Sequence, residues 1–313
     1  MKWAVFFALG MAAQAQTDLT GIWSNATPTP LERPRELGNR DFYTPEEMAA
    51  IEAKAGQALD SKGVEALAGT SVHYSFEQFG LDPSQAKHTV MSRTSIVTDP
   101  ADGRIPPMNA QGRARAAART EARRGKGPFD GPETRPLGER CIIWPNTGPP
   151  MLPAAYNNNI QIEQTADYLV IVQEMNHDAR AIPLDGSPHP GPKIRAYMGD
   201  SRGHWEGRTL VVDTTNYSEK LNWRGASENL HVVERFTRLD ENSIRYQFTV
   251  EDPSTWDRPW SGELMLAKTA GPLFEFACHE GNYGMANTLR GARAEEARAA
   301  EAEKQKTTKE EPR

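Results

Sequence analysis

Ser243-Ile244-Arg245-Tyr246-Gln247-Phe248-Thr249-Val250-Glu251 alternates without a break. Ile244, Tyr246, Phe248 and Val250 fall on one face, and Arg245, Gln247, Thr249 and Glu251 on the other. Successive side chains of a strand point to opposite faces, so this stretch reads as a strand with one buried side, as in an antiparallel sheet packed over its own core. The stretch before it, His231–Leu239, is less tidy. Val232, Glu234 and Phe236 share one face, and His231, Val233 and Arg235 the other. A charge lies on each face, and one of them is expected to point into a polar interior.

Working outward, short strands are predicted at Ile160–Glu163, Tyr168–Glu174, Ala179–Pro183, Ile194–Gly199, Thr209–Thr215, Gly262–Lys268 and Leu273–Cys278. Turn signals separate them: Thr165-Ala166-Asp167, Asp185-Gly186, Glu206-Gly207, Asp240-Glu241-Asn242 and Ala270-Gly271-Pro272. Parallel neighbours need long crossovers, so links this short make the neighbours antiparallel. The expected fold class is all-β, an antiparallel meander that closes into a lipocalin-like barrel or sandwich, because closure removes exposed edges. Gly21-Ile22-Trp23 matches the Gly-x-Trp that opens a lipocalin barrel, a likeness of architecture only.

The N-terminal part is expected to decorate this core with helices. Thr44-Pro45-Glu46-Glu47 combines a cap, a first-turn proline and a capping box, so a helix should run to about Leu59 with Met48 and Ile51 on its apolar side. Residues 90–97 read as a strand that turns at Asp99-Pro100-Ala101-Asp102-Gly103. Asn109–Arg124 reads as a basic helix (Arg113, Arg115, Arg119, Arg123, Arg124) with almost no large apolar side chain. It fits either a solvated surface or a polyanion-binding face.

Met1-Lys2-Trp3, an apolar run to Ala13 and Ala13-Gln14-Ala15 have the three parts of a secretory signal peptide, with cleavage expected after Ala15. The apolar run is too short to span a bilayer. The organisation predicted is therefore signal 1–15, an irregular and helical region 16–136, a β domain 137–289, and a charged tail 290–313 that is a frayed helix or disordered. The expected location is periplasmic or secreted, with no membrane insertion. The formal charge is −6, and −7 once Lys2 leaves with the signal. That acidity argues against nucleic-acid partners.

Two cysteines occur, Cys141 and Cys278. In an oxidising compartment a pair of cysteines usually bridges. The competing reading makes Cys278-His279 part of a metal site.

Candidate chemistry is densest at Phe276-Ala277-Cys278-His279-Glu280-Gly281-Asn282-Tyr283. His279, Glu280 and Tyr283 form an acid/base set, since a histidine near neutrality can take or give a proton. The alternative is that these residues only tie down the chain as it leaves the barrel. Further candidates are Glu174 with His177, Asp178 and Arg180, and Asp200–Gly207. In the latter, Gly203 and Gly207 frame a tight hairpin that Asp200 and Arg202 would lock. His231 and Glu234, three apart on a strand, fall on opposite faces and do not share a site. Glu234, Glu251 and Glu280 offer carboxylates for a glycosidase-type pair. Trp256 and Trp260, with Asn158 in the loop after Trp144, are read as exposed aromatics and amides suited to a sugar or aromatic ligand, weighed against simple loop packing. Ligand binding is thus assigned to Trp256, Trp260, Asn158, His177 and Arg180. No zinc-binding spacing, serine-hydrolase elbow, phosphate loop or dinucleotide fingerprint occurs, so no metal and no cofactor is expected. Convergence of His177, His204, His231 and His279 in space stays open.

Gly199-Asp200-Ser201-Arg202-Gly203-His204-Trp205-Glu206-Gly207, the following Thr209-Leu210-Val211-Val212-Asp213-Thr214-Thr215-Asn216, and Ala277-Cys278-His279-Glu280-Gly281-Asn282-Tyr283 resemble a family of exported bacterial hypothetical proteins. The likeness covers roughly 138–293, and Arg208 stands where the family often has Asp. It implies export and no particular activity. The leading functional expectation is an exported binding protein for a small, partly apolar, aromatic or sugar-like ligand. The alternatives are a secreted hydrolase or lyase using His279 with Glu280 or Tyr283, and a non-catalytic interaction module using the basic helix.

Overall fold

The computed structural model describes residues 17–58, 89, 91–144, 146–154 and 157–310. Residues 1–15, read above as a signal peptide, and Leu59, Val90, Pro145 and Tyr156 lie outside them.

One antiparallel sheet dominates the chain. Its strands are β1 (Gly21–Ser24), β2 (Val97–Asp99), β3 (Asn159–Gln164), β4 (Tyr168–Gln173), β5 (Ala179–Pro183), β6 (Asp200–Glu206), β7 (Thr209–Thr215), β8 (His231–Arg238), β9 (Ser243–Glu251) and β10 (Trp260–Lys268). Consecutive strands pair within β3–β4–β5 and within β6–β7–β8–β9–β10, and β1 enters between β10 and β3. Trp23 stands opposite Ile160 on one side and Lys268 on the other. The result is a nearly closed barrel of nine strands, with β2 attached to β10 outside the ring. The strands β5 and β6 flank its seam, where no ladder joins them.

Parity decides what fills the barrel. In β9 Ile244, Tyr246, Phe248 and Val250 are buried, and their neighbours are not. The same alternation puts Val232, Glu234 and Phe236 inside from β8, and Leu264 and Leu266 from β10. The predicted inward charge is Glu234, whose exposure is 0%. Trp260 stacks on Trp223 at 6.0 Å and meets Phe248 and Trp256 edge-on. This aromatic cluster needs the space at Gly262. A Cβ there would lie 2.4 Å from the Phe248 ring and 3.0 Å from the Ile96 carbonyl oxygen. Gly262→Ala is therefore expected to cost about 1–3 kcal/mol by overpacking. A urea-unfolding midpoint equal to that of the parent would contradict it.

Two expected strands are corrected. Ile194–Gly199 is a turn-rich connection with a single bridge, Ala196 to Tyr217, and the strand starts at Asp200 instead. The hairpin read into 200–207 is thus a strand, and its turn comes at Gly207-Arg208, with Gly207 at φ +60°. Leu273–Cys278 forms no strand. The edge of β10 that it would need is already taken by β1. The strand expected over 90–97 contracts to β2 at Val97–Asp99.

The helices sit outside the barrel. Helix α1 (Pro45–Ala58) has the expected capping box: Glu47 N–H donates to Thr44 Oγ1 at 3.2 Å, and Thr44 N–H to the Glu47 carboxylate at 2.8 Å. Helix α2 (Ala110–Glu121) is capped by Asn109, whose side chain accepts from Gly112 N–H. The third helix, α3 (Tyr283–Glu310), carries the charged tail.

Candidate functional site

The most unusual chemistry lies inside the barrel. Arg180 projects inward from β5 and Glu234 from β8, and their side chains are 4% and 0% exposed. They meet in a two-pronged ion pair, Nη1 to Oε2 at 2.6 Å and Nη2 to Oε1 at 3.0 Å. The Tyr246 hydroxyl donates to Glu234 Oε1 at 2.7 Å and accepts from Met151 N–H at 2.8 Å. The Tyr217 hydroxyl, also fully buried, donates to the Pro149 carbonyl at 3.3 Å. Gln173, inward from β4, donates to the Thr147 carbonyl. The segment 146–152 is thus held against the barrel interior through its own backbone, which explains why Thr147–Leu152 is buried throughout.

The electrostatics follow from burial. Desolvation works against the Arg180 charge, but Glu234 outweighs it and the guanidinium is held above its ordinary range. The Tyr217 and Tyr246 phenols are pushed well above theirs, first by burial and then by the Glu234 charge. Both stay protonated donors, which matches the bonds they make. One donor is left over: Arg180 Nε–H is buried and has no hydrogen-bond partner among the described residues.

The other predicted site residues are scattered. His279, Glu280 and Tyr283 sit on the surface at the start of α3, with Tyr283 74% exposed, and no side-chain hydrogen bond joins them. Cys278 is bridged to Cys141, which removes it from any metal set. With Pro132, Arg140, Met285 and Leu289, Cys141 and His279 line an open surface depression. Exposed His177 accepts from Phe276 N–H at 2.7 Å, and so holds the segment after β10. Beside it Glu174 and Asp178 are both raised by burial, and Asp178 accepts from Thr147 Oγ1 at 2.7 Å. Asn158 is engaged with the backbone of Ala154. Trp256 and Trp260 are buried, a correction to their reading as exposed loop aromatics; they belong to the core. Of the five residues assigned to ligand binding, Arg180 alone reaches the polar centre of the barrel. The glycosidase-type pair is not assembled: Glu234 lies inside, Glu251 on the outer face of β9, and Glu280 before α3. The four histidines share no partner. His204 faces Glu206, and His231 faces Asp213 and Glu251.

Two guanidiniums of α2 are spent on docking, and Arg113 bonds the Met108 carbonyl just before the helix. Arg115 donates to the Ser254 and Gly225 carbonyls and to Thr255 Oγ1, and Arg119 to the Glu219 carbonyl. This places α2 against the β9–β10 loop, itself organised by Asp252. Burial alone would raise that carboxyl, but donors from Ser227, Ser254 and Thr255 outweigh it and hold it below its ordinary range.

Sequence reasoning missed Tyr217, Tyr246, Asp252 and His189. Tyr246 was visible as an inward strand position, and Asp252 as the start of a turn whose donors, Ser254 and Thr255, follow within three residues; Tyr217 and His189 lie in loops whose partners are distant in sequence. A comparison with protein-family models, curated proteins and solved structures finds no match to this chain. No described helix is long and apolar enough to cross a membrane.

Proposed function

We propose that this is an exported binding protein that carries a small, uncharged, partly apolar ligand in its barrel, with Arg180 Nε–H donating to a ligand oxygen. The observation that carries the reading is that N–H itself, buried and unpartnered among the described residues, beside an ion pair and two tyrosine hydroxyls whose own bonds are made. A buried donor left without an acceptor costs about 1–3 kcal/mol, so an acceptor supplied from outside is favoured. The charge of Arg180 is already balanced by Glu234. An anionic ligand would therefore meet a carboxylate at close range, whereas a ketone, ester or ether oxygen would not. The apolar remainder of the ligand would lie among Phe236, Phe248 and the inward aliphatic side chains. Because every group named is buried, entry requires movement of segment 146–152 or of the β5/β6 seam. The bridged cysteines and the resemblance to exported bacterial proteins support the location.

The test joins native mass spectrometry of protein recovered from the export compartment to thermal melting with a ligand panel. Neutral ketones, esters and ethers with apolar bodies are expected to raise Tm. At a ligand concentration of about 100 Kd the gain is about 2.7 kcal/mol, or roughly 5–10 °C for a domain of this size. A shift with carboxylates alone would overturn the uncharged-ligand assignment. No bound mass and no shift across the panel would overturn the binding reading.

A further inference from the structure

A second cluster lies on the opposite side of the barrel wall, on the outer face of β6 to β9. His189 belongs to the connection 184–199, which runs from the end of β5 to the start of β6 across the unpaired seam. Its Nδ1 is 2.7 Å from Asp200 Oδ1 and its Nε2 is 2.9 Å from Asp213 Oδ1. His231, on β8, puts Nε2 at 2.6 Å from Asp213 Oδ2 and Nδ1 at 3.2 Å from Glu251 Oε2. The two rings and three carboxylates thus alternate in one row, Asp200, His189, Asp213, His231, Glu251, with Arg202 paired to Asp200 at the β6 end.

The donor count of this row is decisive. A carboxylate only accepts, and a neutral imidazole has one N–H. Four ring nitrogens face four carboxylate oxygens, so all four contacts are hydrogen bonds only when both rings are imidazolium. With both charged, three cations including Arg202 balance three carboxylates. When the rings lose protons, the carboxylates are left in excess and two contacts set acceptor against acceptor.

The geometry points to a proton-dependent latch: we propose that His189 and His231, both protonated, pin the 184–199 strap to the outer face across Asp213, and that loss of these protons releases the strap from the seam. Backbone bonds hold the strap at its two ends, Leu184 N–H to the Asp167 carbonyl and Ala196 to Asn216 and Ser218. Between them its other fastenings are side-chain ones: Asn216 donates to the Pro190 carbonyl, Arg195 donates to the Tyr217 and Glu228 carbonyls, and Arg202 reaches Ser187. Its first residue, Leu184, fills the seam against Gly203, where an added Cβ would lie 2.6 Å from Leu184 Cδ2. The charged groups facing the row are Asp200 and Arg202 from β6, Asp213 from β7 and Glu251 from β9; on the strap itself Asp185 feels the charge of Arg202, and Arg195 pairs with Glu228. His204, Glu206 and Arg235 form a separate group farther along the same face. The latch stands independently of what the barrel carries.

The direction with pH follows. The His231 hydrogen bond to Asp213 outweighs burial and raises its pKa. The contribution of this ring is therefore complete below about pH 6.5, the ordinary histidine value, and is lost as pH rises through the raised value. Asp213 is lowered, chiefly by the His231 hydrogen bond, so its contribution is lost as pH falls through a value below the ordinary carboxylate range.

Imidazole nitrogen NMR and amide exchange of the full exported chain, followed across one pH titration, test this. At about pH 5.5 the His231 ring should carry protons on both nitrogens. As His231 titrates, above its ordinary range, exchange in 184–199 should rise about ten-fold while β8 and β9 stay protected. His189→Gln should give the fast-exchanging strap at every pH with unchanged far-UV circular dichroism. Should that variant fail to fold, the titration of the parent protein still decides. Titration of His231 at or below the ordinary value, or strap exchange that is flat across the transition, overturns the latch.

Discussion

Replacing Glu234 by Ala is expected to destabilise the protein by about 3–5 kcal/mol, because it leaves a buried guanidinium without its counter-charge. Arg180 is 4% exposed, and among the described residues its two Nη groups have no carboxylate other than Glu234. Its Nε–H is already unpartnered, so no spare acceptor stands ready to take over. The Tyr246 hydroxyl would lose its acceptor while still accepting from Met151 N–H, which adds a further unsatisfied donor to those of Arg180. In a chain of this size the loss corresponds to a fall in Tm of roughly 10 °C. The expectation has a sharp counterpart. A double replacement, Arg180→Met with Glu234→Leu, removes both charges together and should recover most of the loss, since a buried ion pair replaced by packed apolar groups is often neutral or better. Thermal and urea unfolding of the single and double variants measures the coupling directly. A Glu234→Ala protein as stable as the parent would mean that Arg180 reaches solvent, and that the polar centre is not a sealed one.

The fold was legible where burial is one-sided. Strands β5, β7 and β9 were read to the residue because their inward positions are large and apolar or, as at Arg180, interleaved with such positions. The strand β6 was missed for the converse reason. Its inward residues include Ser201 and Gly203, small enough that no hydrophobic period appears, and the space they leave is filled by Ile182 and Leu184 from across the seam. Leu273–Cys278 has the composition of a strand but lacks a free edge to join, and edge availability is a property of the closed ring rather than of the segment. The polar centre was half legible. The parity of Val232, Glu234 and Phe236 announced an inward charge, and Arg180 was singled out, but their pairing across 54 residues of sequence was not. His189 carried no local sign at all. Its partners Asp200 and Asp213 are 11 and 24 residues away and on different strands, so only the sheet register brings the row together.

Opening the Cys141–Cys278 bridge is the second large effect expected. The two residues are 137 apart in sequence. A cross-link that closes so long a loop removes about 5 kcal/mol of denatured-state entropy in the chain-entropy account, and loss of native bridges costs about 2–5 kcal/mol in practice. The bridge joins two segments that lie outside the ladder. Cys141 precedes the segment 146–152 that packs into the barrel through Tyr217, Tyr246 and Gln173, and Cys278 follows β10 by a stretch without regular structure. Once the bridge is open, the tail is held by contacts such as Asn282 to the Glu139 carbonyl at 3.0 Å, Arg293 to the Phe129 carbonyl at 2.7 Å and Phe276 N–H to His177 at 2.7 Å. Two readouts should therefore separate. In Cys141→Ser/Cys278→Ser the urea midpoint falls, and the slope of unfolding rises because the denatured chain is no longer looped. Amide protection should also drop in α3 and near 138–141 under conditions where β8 and β9 remain protected, since local opening of the tail no longer strains a covalent link. A midpoint and slope equal to those of the bridged protein would show that the denatured chain keeps these segments together without the bond. A lowered midpoint with unchanged protection of α3 would place the whole effect in the denatured state and none in the docking of the tail.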